Sequence, residues 1–553
     1  MKYQLSFQNP SRHYLDIELI AKTEGEKTLQ FQLPAWRPGR YELGNFAKNI
    51  QQWKAFDENG QVLNSKKLTK DLWEVNCEKA DSVHIKYNYY SIDLNAGSTY
   101  LDEFQLYVNP VNCLMYIPNR QEEKCSIVLE LPEDYKVATG LNSLGNNVFE
   151  TANFDELADC PFIASNSLKK ITYQVANTTF YMWFQGECKL DEAKLVRDFT
   201  AFTKAQMDLF GDFPTKEYHF LFQILPHQAY HGVEHSNSTV IALGPSYSIM
   251  DEKGRYEDLL GVSSHELFHT WNVKRIRPIE MQPYEFSKEN YSRLGYLCEG
   301  ATTWYGDEML MRSKVFGDEA YFKTLNQLLD RHFNNPGVEN LSVAESSFDT
   351  WLDGYVPGVP NRKSSIYVEG ALITFMLDSI IKRNSNQKYS FDDVMLCFYE
   401  EYYKKNKGVS EADYKQVVER FANDNLDDFF AKYINGAENI EEQLKLSFQD
   451  IGLNYERNPA DLFHEAYLGF KYIEDKVFSI YPDSTSELNG LSVGDTIHTV
   501  NGYKVNDDLA AWCKYFKDVD IYFGVTDSHG IAKVVCVEVT DEVYYASYRV
   551  SRV

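Results

Sequence analysis

The chain has no apolar run approaching the roughly 18 residues needed to span a bilayer, and no CxxC pair among its nine cysteines. The first absence excludes a transmembrane helix. The second, with an odd and scattered set of thiols, fits reduced cysteines in a cytoplasm better than a disulfide framework. Internal repeats and low-complexity tracts are also missing, which excludes a solenoid or a disordered array. Positive charge is in short supply: 55 Lys and Arg face 81 Asp and Glu, for a net charge of −26. Such a chain repels phosphate backbones, so no nucleic-acid partner is expected, and the charge reads as a solvated surface. The first twenty residues, MKYQLSFQNPSRHYLDIELI, lack the uninterrupted apolar core of a signal peptide. They alternate and read as two strands. The expected compartment is the cytoplasm, or the periplasm if a signal has been removed ahead of residue 1.

What is present is ordinary for a globular protein, with 44% apolar and 25% charged residues. At 553 residues the chain is too long for one core, and about three domains are expected. The 39 Tyr and 34 Phe favour sheet-rich portions. Residues 1–170 read as β-rich, with strand runs at Val83–Tyr89 and Ser126–Leu131. Leu33–Tyr41 ends a strand in a rigid Pro/Gly turn. From Asp191 the pattern changes: a helix to Phe210, strands at Tyr218–Leu225 and Ser238–Leu243, then helices near 256–272, 293–313, 365–383, 390–406 and 410–422. A few strands followed by many helices predict an α+β domain over 171–450. Residues 437–460 read as a charged connector, and 455–553 return to short strands and turns.

The chemistry concentrates at His265-Glu266-Leu267-Phe268-His269. On a helix, i and i+4 put both imidazoles on one face, where they can share one zinc ion. Glu266 stands beside them, suited to take a proton from water. The plainer alternative is two surface histidines on an amphipathic helix. A catalytic zinc needs a third protein ligand, and Glu299, opening a helix rich in Trp, Tyr, Leu and Met, is the best candidate. A carboxylate on an apolar face is costly unless paired or metal-bound. Its alternative is a glutamate complementing the helix dipole. Cys298 reads as a small buried residue.

These residues match a known pattern. HELFHTWNVKRIRP (His265–Pro278) followed by CEGATTWYGDEML (Cys298–Leu310) resembles the M61 metallopeptidases, the glycyl aminopeptidase family. Trp36-Arg37-Pro38-Gly39-Arg40-Tyr41 resembles that family's W-x-P-G-x-Y turn, Gly232-Val233-Glu234-His235 its G-x-E-H segment, and Tyr367-Val368-Glu369-Gly370-Ala371-Leu372 its Y-x-x-G-A-L segment. The resemblance implies a thermolysin-like, mainly helical zinc peptidase domain, with zinc on His265, His269 and Glu299 and Glu266 as general base. It further implies that Glu234 binds the substrate's free amino group and that Tyr367 donates to the oxyanion. Gly232 would allow close approach of an extended substrate. There are two departures: Glu369 stands where related aminopeptidases often carry Lys, and Cys298 where a polar or small residue is usual.

Tyr467-Leu468-Gly469-Phe470, Gly490–Ile497 and Val500-Asn501-Gly502 resemble a PDZ domain, although Tyr467 replaces a usual Gly. Such a domain takes an extended peptide or a protein C-terminus by strand addition, or serves only to pack. The expected architecture is therefore multidomain α+β: an N-terminal β-rich domain, the peptidase domain and a C-terminal PDZ-like β domain. The expected activity is zinc-dependent removal of small N-terminal residues, glycine above all, from peptide substrates. The rivals are a zinc endopeptidase and a non-enzymatic peptide-binding scaffold.

Overall fold

The structure, a computed structural model, describes residues 1–251, 255–356 and 358–553. Among them no helix is long and apolar enough to cross a membrane, and all nine cysteines are free thiols.

The N-terminal domain is β-rich, as its alternating runs predict. Along Tyr14–Lys22, Leu15, Ile17, Leu19 and Ala21 face inward; along Ser82–Tyr90, Val83, Ile85, Tyr87 and Tyr89 do the same. A period of two makes one face of each strand apolar and fixes register. The two strands pair antiparallel within a seven-stranded sheet. The core behind this sheet draws in residues from far along the chain: Met281, Tyr284, Phe286, Trp351 and Ile366. The peptidase domain is thus sewn into the N-terminal domain, and the seam runs beside the site described below.

The peptidase domain is built on a five-stranded sheet in the order Lys169–Val175, Thr178–Gln185, Glu217–Ile224, Ser238–Gly244, Ala229–Glu234. Ala229–Glu234 is one of its two antiparallel edge strands and pairs with Ser238–Gly244. Helix Glu192–Phe210 packs on this sheet; Asp191 caps its start and left-handed Gly211 its end. Helix Tyr256–Phe268, the motif helix, lies beside the edge strand. The long helix Ile366–Asn384 is buried over most of its surface and starts at the Ser365 cap.

Three stretches differ from the sequence reading. The connector expected at 437–460 is helix Glu441–Asp450 followed by strand Leu453–Pro459; Leu444 and Phe448, one turn apart, bury a narrow apolar stripe that many charges disguise. Helix Asp318–Phe333, which the pattern leaves unassigned, buries Tyr321, Leu325, Leu328 and Leu329. Glu299 does not open an α-helix but sits in a π-helical turn, Tyr296–Ala301, that runs into helix Thr302–Arg312.

The C-terminal unit has its own core, including Leu468, Phe470, Ile497, Val500, Cys513 and Phe523. Its first and last strands, Leu453–Pro459 and Ala546–Arg552, pair antiparallel. Tyr455, Tyr548 and Val550 on this ribbon belong to the peptidase core instead. Side chains of helix Asp318–Phe333 and of its C-cap accept from the ribbon's outer edge: Asp330 from Tyr548 N (2.6 Å), Asn326 from Val550 N (2.7 Å) and the cap residue Asn334 from Ala546 N (2.9 Å).

Candidate active site

The motif helix is held by neighbours that come unusually close. Gln206 donates to Ser264 O at 2.8 Å, and Ser264 Oγ donates to Gly306 O at 2.7 Å. Gly306 brings helix Thr302–Arg312 against His265, where a Cβ would lie 3.2 Å from His265 Cα. Phe268 stacks on Tyr305 with centroids 4.3 Å apart. The Glu299 turn meets the long helix the same way: a Cβ on Gly300 would sit 2.3 Å from Gly370 Cα. Glycine at both positions lets Tyr367 and Glu299 share one cleft.

His265 Nε2 and His269 Nε2 are 3.0 Å apart; Glu299 Oε2 is 3.4 Å from the second and 3.9 Å from the first. His269 turns Nδ1 to the carbonyl of Asn272 at 2.8 Å. Nδ1–H is therefore the donor, which leaves Nε2 as the ring atom that faces the site. Asn272 in turn donates to Leu297 O at 2.8 Å, Cys298 O at 3.2 Å and Thr302 Oγ1 at 3.0 Å, tying the end of the motif helix to the Glu299 turn. Tyr41, from the N-terminal domain, donates to Glu299 Oε1 at 3.0 Å.

Glu266 and Glu234 complete the cluster. One oxygen of each and a ring nitrogen of His269 lie within 4.8 Å of one another. Both carboxylates are buried, and Glu234 Oε1 and Glu266 Oε2 have no hydrogen-bond partner. Burial pushes the Glu266 carboxyl well above the ordinary range; the Glu234 and Glu299 carboxylates push the same way, against His269. Burial also holds His265 well below the ordinary imidazole value. For His269 burial acts downward too, but Glu299 and the other two carboxylates outweigh it and lift the ring to about 10. Tyr367 packs beside the N-terminal core with its hydroxyl 3.5 Å from that of Tyr355. Burial, then Glu299, raises its pKa well above 10.0, so it remains a donor. Glu369, the departure noted above, is buried against His332 Nδ1 at 2.5 Å.

The donor set suits a divalent ion. Tetrahedral bonds of about 2.0–2.2 Å hold donors about 3.3–3.6 Å apart, and the separations of 3.0, 3.4 and 3.9 Å bracket that range. Two imidazoles and three buried carboxylates form an electron-rich pocket that a dication would balance.

Of the residues singled out from the sequence, the structure brings together His265, His269, Glu299, Glu266 and Glu234, with Gly232 on the edge strand directly over Glu266. The sequence reading passes over Asn272, Thr302, Tyr355 and Tyr41, although Asn272, Thr302 and Tyr41 lie inside the blocks it singles out.

The His-Glu-x-x-His helix, the Glu299 turn and a sheet edge alongside are the candidate site of a peptidase. The chain belongs to the M61 peptidase family: its N-terminal domain matches over residues 2–166 and the M61 glycyl aminopeptidase domain over 258–373. The fold is that of an aminopeptidase N family protein from Idiomarina loihiensis, at 24% identity and a TM-score of 0.90, covering 100% of this chain and 98% of that one. An M1 zinc metallopeptidase variant from Deinococcus radiodurans, bound to a Tyr-Ser-Ala substrate, matches at 13% identity and a TM-score of 0.47, over 81% of this chain and 92% of that one. No curated relative matches.

Proposed function

We propose that this peptidase is a zinc-dependent aminopeptidase that removes small N-terminal residues, glycine first. The carrying observation is Glu234: a buried carboxylate with an unpartnered oxygen, within 4.8 Å of both Glu266 and His269. A free ammonium group satisfies that oxygen; an interior peptide segment offers nothing of the kind. His265, His269 and Glu299 are the residues to hold the ion. Zinc, when bound, supplies Lewis acidity for the carbonyl and for water.

The remaining steps belong to the chain's own groups. The substrate lies along the edge strand as an added strand, its amine on Glu234. Glu266, with a carboxyl raised by burial, takes the proton of the attacking water and returns it to the leaving amine. Tyr367 donates to the carbonyl oxygen as negative charge grows there. Two things support a preference for a small first residue: the match to a glycyl aminopeptidase domain, and crowding, since Gly39 presses on Glu234 and Arg37 Nη2 stands 3.5 Å from His231 Nε2.

The unit 455–553 is assigned as PDZ-like, serving as a brace. Residues Phe463–Leu468 are helical, and the Gly469 N–H is spent on His464 O, so these donors are not free for a terminal carboxylate.

The decisive experiment compares free and N-acetylated glycyl peptides, with and without chelator. Cleavage restricted to free amines and abolished by chelation is expected. Equal cleavage of both peptides would make the enzyme an endopeptidase, and a protein without stoichiometric zinc or activity would be a binding scaffold.

A further inference from the structure

The turn Trp36–Tyr41 belongs to the N-terminal domain, yet several of its anchors lie in the peptidase domain. Trp36 Nε1 donates to Glu285 O at 2.7 Å, and Ala35 N to Phe286 O at 2.7 Å. The Trp36 ring stands edge-on to Trp351 at 5.0 Å and to Tyr284 at 5.6 Å. Gly39, at φ +82°, folds the chain back over Glu234. These contacts hold the turn as a rigid bracket whose far end is Tyr41.

Tyr41 is 3% exposed. Its ring sits edge-on to Trp351 at 6.0 Å, and its hydroxyl donates to Glu299 Oε1 at 3.0 Å. The other oxygen, Oε2, faces the two imidazoles. A carboxylate with both oxygens free can turn about its last torsion and offer either one. One fixed hydrogen bond removes that freedom and selects Oε2 as the donor.

We propose that Tyr41 is a positioning residue of the zinc site, so that the N-terminal domain finishes the peptidase domain's metal centre by orienting Glu299. The inference rests on the zinc reading above. It assigns to the W-x-P-G-x-Y turn a task at the metal, and it makes the ion's affinity depend on a hydroxyl 258 residues away from the ligand it steers.

The test uses the purified full-length chain and zinc itself. Zinc is first measured in the wild type; a protein that does not bind about one ion per chain overturns the zinc reading before Tyr41 is touched. Apo protein is then titrated with zinc against a chromogenic chelator for wild type, Tyr41→Phe and Trp351→Phe. Tyr41→Phe keeps the ring and its packing, and is expected to weaken zinc binding about 10–100-fold while the apo protein stays folded and melts only slightly below the wild type. Trp351→Phe disturbs the packing around Tyr41 but not its hydroxyl, and is expected to hold zinc nearly as the wild type does. Zinc affinity in Tyr41→Phe within about threefold of wild type would overturn the proposal. So would an equal loss in both variants, because packing rather than the hydroxyl would then be responsible.

Discussion

Gly232 lies directly against the carboxylate of Glu266: a Cβ added to the glycine would sit 2.1 Å from Oε1. The glycine is on the edge strand and the glutamate on the motif helix, so this contact sets the distance between substrate strand and general base. The φ of Gly232 is not in the left-handed region, so alanine there meets crowding without backbone strain. What yields is the end of the Glu266 side chain. Gly232→Ala is therefore expected to retain fold and zinc while kcat falls about 100-fold or more, within the usual worth of a positioned base. Turnover near wild type would show that the base has room to move.

The ligands and the base separate by different readouts. His265→Ala and His269→Ala each leave two protein donors, and are expected to lose both zinc and activity. Glu266→Gln keeps all three ligands and is expected to bind zinc but not turn over, because an amide cannot take the water's proton. Metal analysis beside a kinetic assay checks the pair; an active Glu266→Gln enzyme would assign the base elsewhere.

Tyr367→Phe removes only a hydroxyl. The bond it makes strengthens as the oxyanion forms, so kcat is expected to fall about 100-fold or more at similar KM. An unchanged kcat would leave Tyr367 as a packing residue beside Tyr355.

Glu234→Ala removes the partner of the free amine. For unblocked glycyl peptides kcat/KM is expected to fall by a few kcal/mol in transition-state terms, with higher KM and lower kcat. Acetylated peptides should be poor substrates of wild type and variant alike. A variant that lost nothing on free peptides would remove Glu234 from substrate binding.

Asp159 gives a prediction about stability and pH. Its carboxylate accepts from Lys274 Nζ at 2.8 Å, Ser236 N at 2.9 Å and His235 Nδ1 at 3.0 Å, a knot just behind Glu234. Burial alone would raise its pKa, but Lys274 and His235 outweigh it and hold it well below the ordinary range. A depressed native pKa contributes stability that is present above the unfolded value of about 3.9 and lost as pH falls below it. Asp159→Asn leaves Lys274 buried and unpaired, and is expected to cost about 3–5 kcal/mol at pH 7. The difference from wild type should shrink below about pH 4. Denaturant melts at both pH values measure it; a difference that does not depend on pH would refute the assignment.

Legibility in the sequence divides along physical lines. Local periodicity was readable where it was strong: the alternation of Tyr14–Lys22, the i and i+4 histidines and the helix start at Ser365. It failed where charge hid a thin apolar stripe, as at Leu444 and Phe448, and where backbone geometry left the regular menu, as in the π turn at Tyr296–Ala301. Glu299 is legible as a costly carboxylate on an apolar segment, a signal carried by one residue. Tyr41 is not, because a tyrosine hydroxyl has no periodicity and its partner lies in another domain. Its turn was visible and its purpose was not.

The ribbon formed by Leu453–Pro459 and Ala546–Arg552 has a mechanical consequence. The chain leaves the peptidase core along one strand and returns to it along the other, so the C-terminal unit hangs on two adjacent cords rather than one. A single cord permits swivelling; two paired cords, the second hydrogen-bonded to helix Asp318–Phe333 and the first packed on helix Glu441–Asp450, permit little more than a hinge about the ribbon's own axis. A cut in any loop between 460 and 545 would therefore leave the fragments joined, while trimming the residues of the second strand would open the peptidase core itself.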